Sequence, residues 1–190
     1  HFAETKAQEI AISALTRGSQ TVESQDVSGK IFVPRTEAEI WQELDKFIGM
    51  ASVKAEIRSI VDDIKETKRS KGNDVQVEIR DHFVFTGNPG TGKTTMARCF
   101  ADILNALGVL PKGHLVEVGS KDLIGDVIGA SERNVREAVD KSMGGILFID
   151  EAYGLNDGTS YGQGAIDTLL KLVEDNRGKF ICILAGYSKE

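Results

Sequence analysis

The residues best suited to chemistry lie in the segment Phe83–Phe100, FVFTGNPGTGKTTMARCF. Within it, Gly87–Thr94 matches the pattern G-x-x-x-x-G-K-[ST], between strand-forming residues and a helical pattern. Glycines let such a loop turn successive N–H groups inward around an anion, and the helix that starts there adds the positive end of its dipole. Lys93 would bring a positive charge to the β- and γ-phosphates, and Thr94 a hydroxyl group to Mg²⁺. The segment therefore predicts a loop that holds a nucleoside triphosphate.

A second group of chemically active residues follows a buried strand in the segment GGILFIDEAYG. Its apolar run Ile146–Ile149 leads directly into Asp150 and Glu151. Carboxylates at the end of a buried strand are costly unless a cation matches their charge. We expect Asp150 to hold Mg²⁺ through a water molecule, and Glu151 to polarise the water that attacks the γ-phosphate. The pair predicts hydrolysis as well as binding.

The elements that must position these residues alternate along the chain from Asp81 onward. The apolar runs HFVFT, HLVEV, GILFID and FICILA predict strands, and helical patterns cover 92–107, 131–142 and 164–176. Runs that are apolar throughout are typical of strands buried on both faces of a parallel sheet. Strands that alternate with helices predict right-handed βαβ units in a three-layer α/β domain.

The N-terminal part has a different pattern. A helical spacing covers residues 1–15, a polar linker follows, and Thr36 precedes a second helical pattern, with Ser52 as a candidate cap for a third. We expect residues 1–36 to form a helical extension and linker. Residues 37–190 would form the nucleotide-binding subdomain.

Composition excludes several classes of protein. The net charge of −6 argues against non-specific nucleic-acid binding, and no apolar run approaches the length of about 20 residues that spans a bilayer. Cys99 and Cys182 lie in apolar segments without metal-site or disulfide spacing. We expect both to be buried, reduced thiols. The sequence shows no signal peptide, although it begins with His1 rather than Met.

Three segments in this order, GNPGTGKTT, GILFIDEAY and FICILAGY, resemble AAA+ ATPases of the CbbX/CfxQ–SpoVK family, over about Leu44–Lys189. The resemblance implies a P-loop NTPase fold with a parallel sheet in the order 5-1-4-3-2, with the fifth strand, the arginine finger and the helical lid expected beyond Glu190. It also implies ATP and Mg²⁺ as ligands and a ring of identical chains, usually a hexamer, that applies force to a protein client. A cytoplasmic or plastid-stromal location would fit.

The resemblance also assigns site residues by their positions in the motifs. It implies adenine contacts at Ile48 and Gly49, metal binding by Thr94 and Asp150, and catalytic roles for Lys93, Glu151 and Tyr187. Tyr187, or Ser188 beside it, matches the polar sensor at the end of the fourth strand. The residues expected around the phosphates are Asn88, Pro89, Gly90, Thr91, Gly92, Lys93, Thr94 and Thr95.

Two departures from the family pattern bear on function. The segment Asp122–Ser131 matches the central pore loop, but it has Val127-Ile128-Gly129 where these rings usually have an aromatic residue first. The sensor is Tyr187 rather than the Asn common elsewhere in the superfamily. The leading hypothesis is therefore an ATP-driven remodeller of a protein client, and the alternative is an ATP-binding scaffold with little catalysis. The N-terminal segment is either a plain extension or the end of a preceding AAA+ module.

Overall fold

The computed structural model of the protein describes residues 36–46, 51–72 and 75–187. The predicted N-terminal helix and linker lie outside these residues, as do Ile48, Gly49 and Ser188. The boundary between 1–36 and 37–190 therefore stays a prediction.

The described residues form helices and strands that alternate from residue 83 onward. The helices are α1 (Glu37–Lys46), α2 (Ala51–Lys71), α3 (Lys93–Ala106), α4 (Ser120–Leu123), α5 (Ala130–Ser142) and α6 (Ser160–Asp175), with a 3₁₀ turn at Ala152–Leu155. The strands are β1 (Phe83–Thr86), β2 (Leu115–Gly119), β3 (Ile146–Asp150) and β4 (Ile181–Gly186).

The four strands form one parallel sheet in the order β1-β4-β3-β2. This order confirms the prediction for the first four strands of the family's sheet, whereas the fifth strand stays a prediction. The last strand in sequence lies between the first and the third, and Ile183 is the register partner of both Phe83 and Phe148. Because parallel strands end at the same edge, the segments after β1, β3 and β4 meet there.

Strand β3 divides the core into two clusters, one on each face of the sheet. Ile146 and Phe148 belong to the cluster that includes residues of α1, α2 and α3, whereas Leu147 and Ile149 pack with residues of α5 and α6. All four side chains are fully buried. Successive side chains of a strand point to opposite faces, so this continuous apolar run produces the three predicted layers.

Helix α1 begins with reciprocal hydrogen bonds between Thr36 and Glu39. The backbone N–H of Thr36 donates to Glu39 Oε2 at 2.8 Å, and the backbone N–H of Glu39 donates to Thr36 Oγ1 at 3.3 Å. This is a capping box, and it satisfies two of the N–H groups that a helix start leaves unpaired. Ile40 and Leu44 on this helix are fully buried.

Two predicted details were wrong. Helix α6 begins at Ser160, four residues before the predicted start at 164, because Thr159 caps it by accepting the N–H of Gly162 at 3.1 Å. Glycine inside a helix costs about 1 kcal/mol relative to alanine. Because Gly162 and Gly164 lie in the first turn, the sequence there did not show a helical pattern. Ser52 lies inside α2, which begins at Ala51, and therefore does not precede the helix as a cap.

Both cysteines are buried thiols, as predicted. Burial raises the pKa of the Cys182 thiol to about 12, because the thiolate would lose its hydration. Among the described helices, none is long and apolar enough to span a membrane.

Candidate nucleotide-binding site

The glycine-rich loop follows β1 and leads into α3. Gly90 and Gly92 have φ angles of 73° and 88°, in the left-handed region that residues with a side chain rarely adopt. The side chain of Thr91 donates to the carbonyl oxygen of Asn88 at 2.8 Å, which closes the turn. Asn88, Pro89, Gly90 and Thr91 are all exposed, so the loop is open to a ligand from solvent.

Lys93 is the first residue of α3, and its side chain folds back into the loop. It is 8% exposed, and its Nζ donates to the carbonyl oxygens of Gly87 at 2.8 Å and Asn88 at 3.2 Å. The Nζ atom also lies 5.5 Å from the centroid of the Tyr187 ring, a cation–π distance. The ammonium group is thus held beside the loop by neutral groups. A phosphate oxygen would bind it more strongly, because bonds between charged partners are the stronger ones.

Asp150 and Glu151 lie at the end of β3, on the sheet edge where the loop also lies. Asp150 Oδ1 accepts the backbone N–H of Glu151 at 2.9 Å. Glu151 has φ 50° and is the only described residue other than glycine with a positive φ. Such conformations cost about 1–3 kcal/mol and cluster at functional sites. The backbone at Glu151 is therefore strained where the sequence predicted the catalytic carboxylate.

Tyr187 follows β4 and joins these groups. Its hydroxyl donates to Glu151 Oε1 at 3.2 Å, and its ring lies 5.4 Å from the ring of Tyr153. The predicted catalytic residues Lys93, Glu151 and Tyr187, which follow three different strands, therefore lie in one cluster. Their roles stay predictions.

The start of α3 also contacts strand β2. Thr94 Oγ1 donates to Glu117 Oε1 at 3.4 Å, and Arg98 donates to Glu117 Oε2 at 3.0 Å. The sequence interpretation missed Glu117 and Arg98. A signal was present in the sequence, because Glu117 stands between apolar residues in the predicted strand HLVEV. Thr95 lies in the same first turn of α3.

The loop between α4 and α5 presents two apolar side chains outward. Val127 is 62% exposed and Ile128 is 92% exposed. The base of the loop is fixed, because the backbone N–H of Gly125 donates to the buried Ser131 Oγ at 2.9 Å. Gly129, with φ 80°, turns the chain into α5. The resemblance predicts this segment as the central pore loop, and that role stays a prediction.

Comparison with known families decides the identity of the fold. Residues 83–190 match the family described as "ATPase family associated with various cellular activities (AAA)". The chain belongs to this AAA family. Membership supports ATP-driven activity in general, and the phosphate loop and carboxylate pair lie within the matched residues.

Curated relatives in the AAA family confirm the predicted resemblance. Stage V sporulation protein K of Bacillus subtilis is 44% identical over 155 residues, 80% of this chain and 48% of that protein. CbbX of Cereibacter sphaeroides is 44% identical over 155 residues, 79% of this chain and 50% of that protein. The ESX-1 secretion system protein EccA1 of Mycobacterium tuberculosis is 41% identical over 160 residues, 80% of this chain and 28% of that protein. The chain thus spans about half of the first two and less of the third.

The side chains at this AAA site fit a magnesium–nucleotide complex. Mg²⁺ prefers oxygen ligands, keeps several waters and uses one or two carboxylates with substrate phosphates rather than an all-protein cage. Thr94 and Asp150 offer oxygen atoms near the exposed loop. Within residues 36–46, 51–72 and 75–187, no group of three or more His, Cys, Asp or Glu side chains could hold a metal by itself. The hydroxyl group of Thr94 and the carboxylate of Asp150 are oxygen donors that suit a metal also bound to nucleotide phosphates.

Proposed function

We propose that the chain binds ATP with Mg²⁺ in the loop Gly87–Thr94 and hydrolyses it. The observation that carries the proposal is the cluster of Lys93, Tyr187 and Glu151. The Lys93 ammonium lies 5.5 Å from the centroid of the Tyr187 ring, and the Tyr187 hydroxyl donates to Glu151. This cluster joins a cation that can bind phosphate to a carboxylate that can act as a base. A site used only for binding would not need the carboxylate.

Each group of the site would have its own role in the reaction. The N–H groups of the loop and the start of α3 would bind the phosphates, and Lys93 would exchange its two carbonyl partners for phosphate oxygens. Thr94 and Asp150 would hold Mg²⁺, whose charge would stabilise the charge that develops on the phosphoryl oxygens. Glu151 would orient and polarise the attacking water, and Tyr187 would orient Glu151 through its hydroxyl group.

We further propose that this ATPase acts in a ring of identical chains, usually a hexamer, on a protein client. Family membership supports the oligomer. The exposure of Val127 and Ile128, on a loop fixed at its base, supports contact with an apolar part of a client. Because this loop has no aromatic residue beside Ile128, it would contact the client through aliphatic side chains alone. The cytoplasmic or plastid-stromal location stays a prediction.

Calorimetric titration of Mg-ATP into the chain, with Lys93→Ala beside it, tests the nucleotide site. We expect micromolar-range binding that is lost in Lys93→Ala, because the ammonium group is the only charge that the loop itself brings to the phosphates. Mg-GTP tests the choice of base. An unmodified chain that binds no nucleotide would overturn the proposal.

Glu151→Gln separates a remodeller from a scaffold. The change keeps the size of the side chain and an oxygen for the Tyr187 hydroxyl, but it removes the charge that polarises water. In the complete protein, a remodeller should lose ATP turnover and client activity together while still binding ATP. Client activity that survives the loss of turnover would favour the scaffold.

A further inference from the structure

Glu117 is a charged residue in a strand of the sheet, and its contacts lead to the nucleotide site. Strand β2 has the sequence LVEVG, and the Glu117 side chain is 42% exposed. One carboxylate oxygen accepts from Arg98 at 3.0 Å, and the other accepts from the Thr94 hydroxyl at 3.4 Å. Each oxygen therefore has its own partner on α3.

The spacing of the two partners makes this arrangement specific. Thr94 and Arg98 are four residues apart, so they lie on the same face of α3, one turn from each other. Two residues after Glu117, Gly119 is the register partner of Asp150. Glu117 therefore contacts the start of α3 from the strand whose last residue pairs with the predicted metal ligand.

A threonine hydroxyl has one proton to donate and two lone pairs to offer. If a lone pair is to face Mg²⁺, the proton has to point at an acceptor on another side. Glu117 Oε1 is that acceptor in this structure. At 3.4 Å the bond is long, but hydrogen bonds in catalytic sites are often long before the ligand arrives and tighten in the complex.

We infer that Glu117 is a positioning residue for the metal site: it accepts the Thr94 proton, and this turns a Thr94 lone pair toward Mg²⁺. Arg98 fixes the other carboxylate oxygen and so sets the orientation of Glu117. This inference rests on the proposed nucleotide site, since Thr94 needs orienting only if it binds a metal that comes with a nucleotide. Residues that orient metal ligands typically change metal affinity 10–100-fold when mutated.

The test measures binding rather than turnover. A non-hydrolysable ATP analogue is titrated calorimetrically into the chain in EDTA and at a series of Mg²⁺ concentrations. For Glu117→Val, which keeps a strand-forming residue, we expect about a tenfold rise in the Mg²⁺ concentration that gives half of the metal-dependent gain in affinity. Affinity in EDTA should not change. Glu117→Gln, which keeps an acceptor oxygen, should restore most of the metal response.

Two further variants isolate the route through Thr94. In a Thr94→Ala background, Glu117→Val should cause no additional shift, because the hydroxyl group it orients is gone. Glu137→Gln, which removes an exposed carboxylate 3.8 Å from Lys141 on α5, serves as the matched control and should change neither affinity. If Glu117→Val does not fold, Glu117→Ala takes its place.

The outcomes distinguish this inference from the proposed function. An unmodified chain that binds the analogue under no condition would overturn the nucleotide site and the inference with it. Metal-dependent binding that Glu117→Val leaves unchanged would overturn the inference alone. Equal losses of affinity with and without Mg²⁺ would also overturn it, because they would show that Glu117 only supports the fold.

Discussion

Replacing Glu151 by glycine should leave the chain more stable than replacing it by alanine. Both variants lose the carboxylate and its bond from Tyr187, so the comparison isolates the backbone. Glu151 has φ 50° and ψ 43°, and a residue with a side chain pays about 1–2 kcal/mol in this left-handed region, whereas glycine does not. Against this, glycine loses roughly 0.4–1 kcal/mol through the greater freedom of the unfolded chain. The difference of the two midpoints gives glycine an expected net advantage of about 0.8 kcal/mol.

Urea unfolding followed by far-UV circular dichroism measures the difference between the two variants. In thermal unfolding, 1 kcal/mol corresponds to about 2–4 °C for a chain of this size. The matched control is Lys171, an exposed residue inside α6, where alanine should be more stable than glycine by about 1 kcal/mol. The order of the two variants should thus reverse between positions 151 and 171. If alanine is as stable as glycine at 151, the backbone there is not strained, and the reasoning fails.

Three further predictions concern single groups. Tyr187→Phe keeps the ring beside Lys93 but loses the donor to Glu151, and a hydrogen bond to a charged group contributes about 1.5–3 kcal/mol. Steady-state kinetics of the complete protein should therefore show kcat at least tenfold lower, with nucleotide affinity unchanged. A kcat equal to that of the unmodified protein would contradict the orienting role of Tyr187. Gly90→Ala should lower the free energy of unfolding by about 0.8 kcal/mol, the left-handed backbone cost less the gain from a stiffer unfolded chain, because φ is 73° and no described atom lies within 4 Å of the added carbon. An unchanged urea midpoint would mean that the backbone at Gly90 is not held in this conformation. Burial and the nearby Arg177 charge lower the pKa of His82 below 6.5, against the opposing effects of Asp81 and Glu174. The folded state therefore disfavours the protonated imidazole. The stability that is present above pH 6.5 is lost as pH falls through the lowered pKa. The Cys182 N–H donates to His82 Nδ1 at 3.0 Å, and His82→Asn keeps an acceptor there but does not titrate. The urea midpoint of this variant should therefore fall less between pH 7.5 and pH 5 than that of the unmodified chain. Equal falls of the two midpoints would contradict this prediction.

The fold could be predicted because its local signals agree with each other. The run Ile146–Ile149 is apolar at every position, which is typical of a strand covered on both faces. The glycine pattern of Gly87–Thr94 sets the loop conformation through residues next to one another, and Gly90 and Gly92 have the positive φ angles that the pattern requires.

The contacts that complete the site could not be predicted in the same way. Thr94 and Glu117 are 23 residues apart, and Glu151 and Tyr187 are 36 apart. Each pair meets because of the strand order and register, which depend on packing across the whole sheet rather than on either segment. The sequence singled out Glu151 and Tyr187 separately, but the bond between them follows from β4 lying beside β3.

Strand β1 has a consequence for the order in which the protein can form during synthesis. Its described neighbour in the sheet is β4, and the N–H of Cys182 that pairs with His82 comes from a residue 100 positions later. At a synthesis rate of about 5–20 residues per second, the start of β1 leaves the ribosome roughly 5–20 s before its partner. Gly87 is likewise tied to the carbonyl oxygen of Gly186. The loop Gly87–Thr94 can therefore be held in its final shape only after the fourth strand has emerged. A nucleotide bound at this loop, as proposed, would stabilise the folding chain only from that point on.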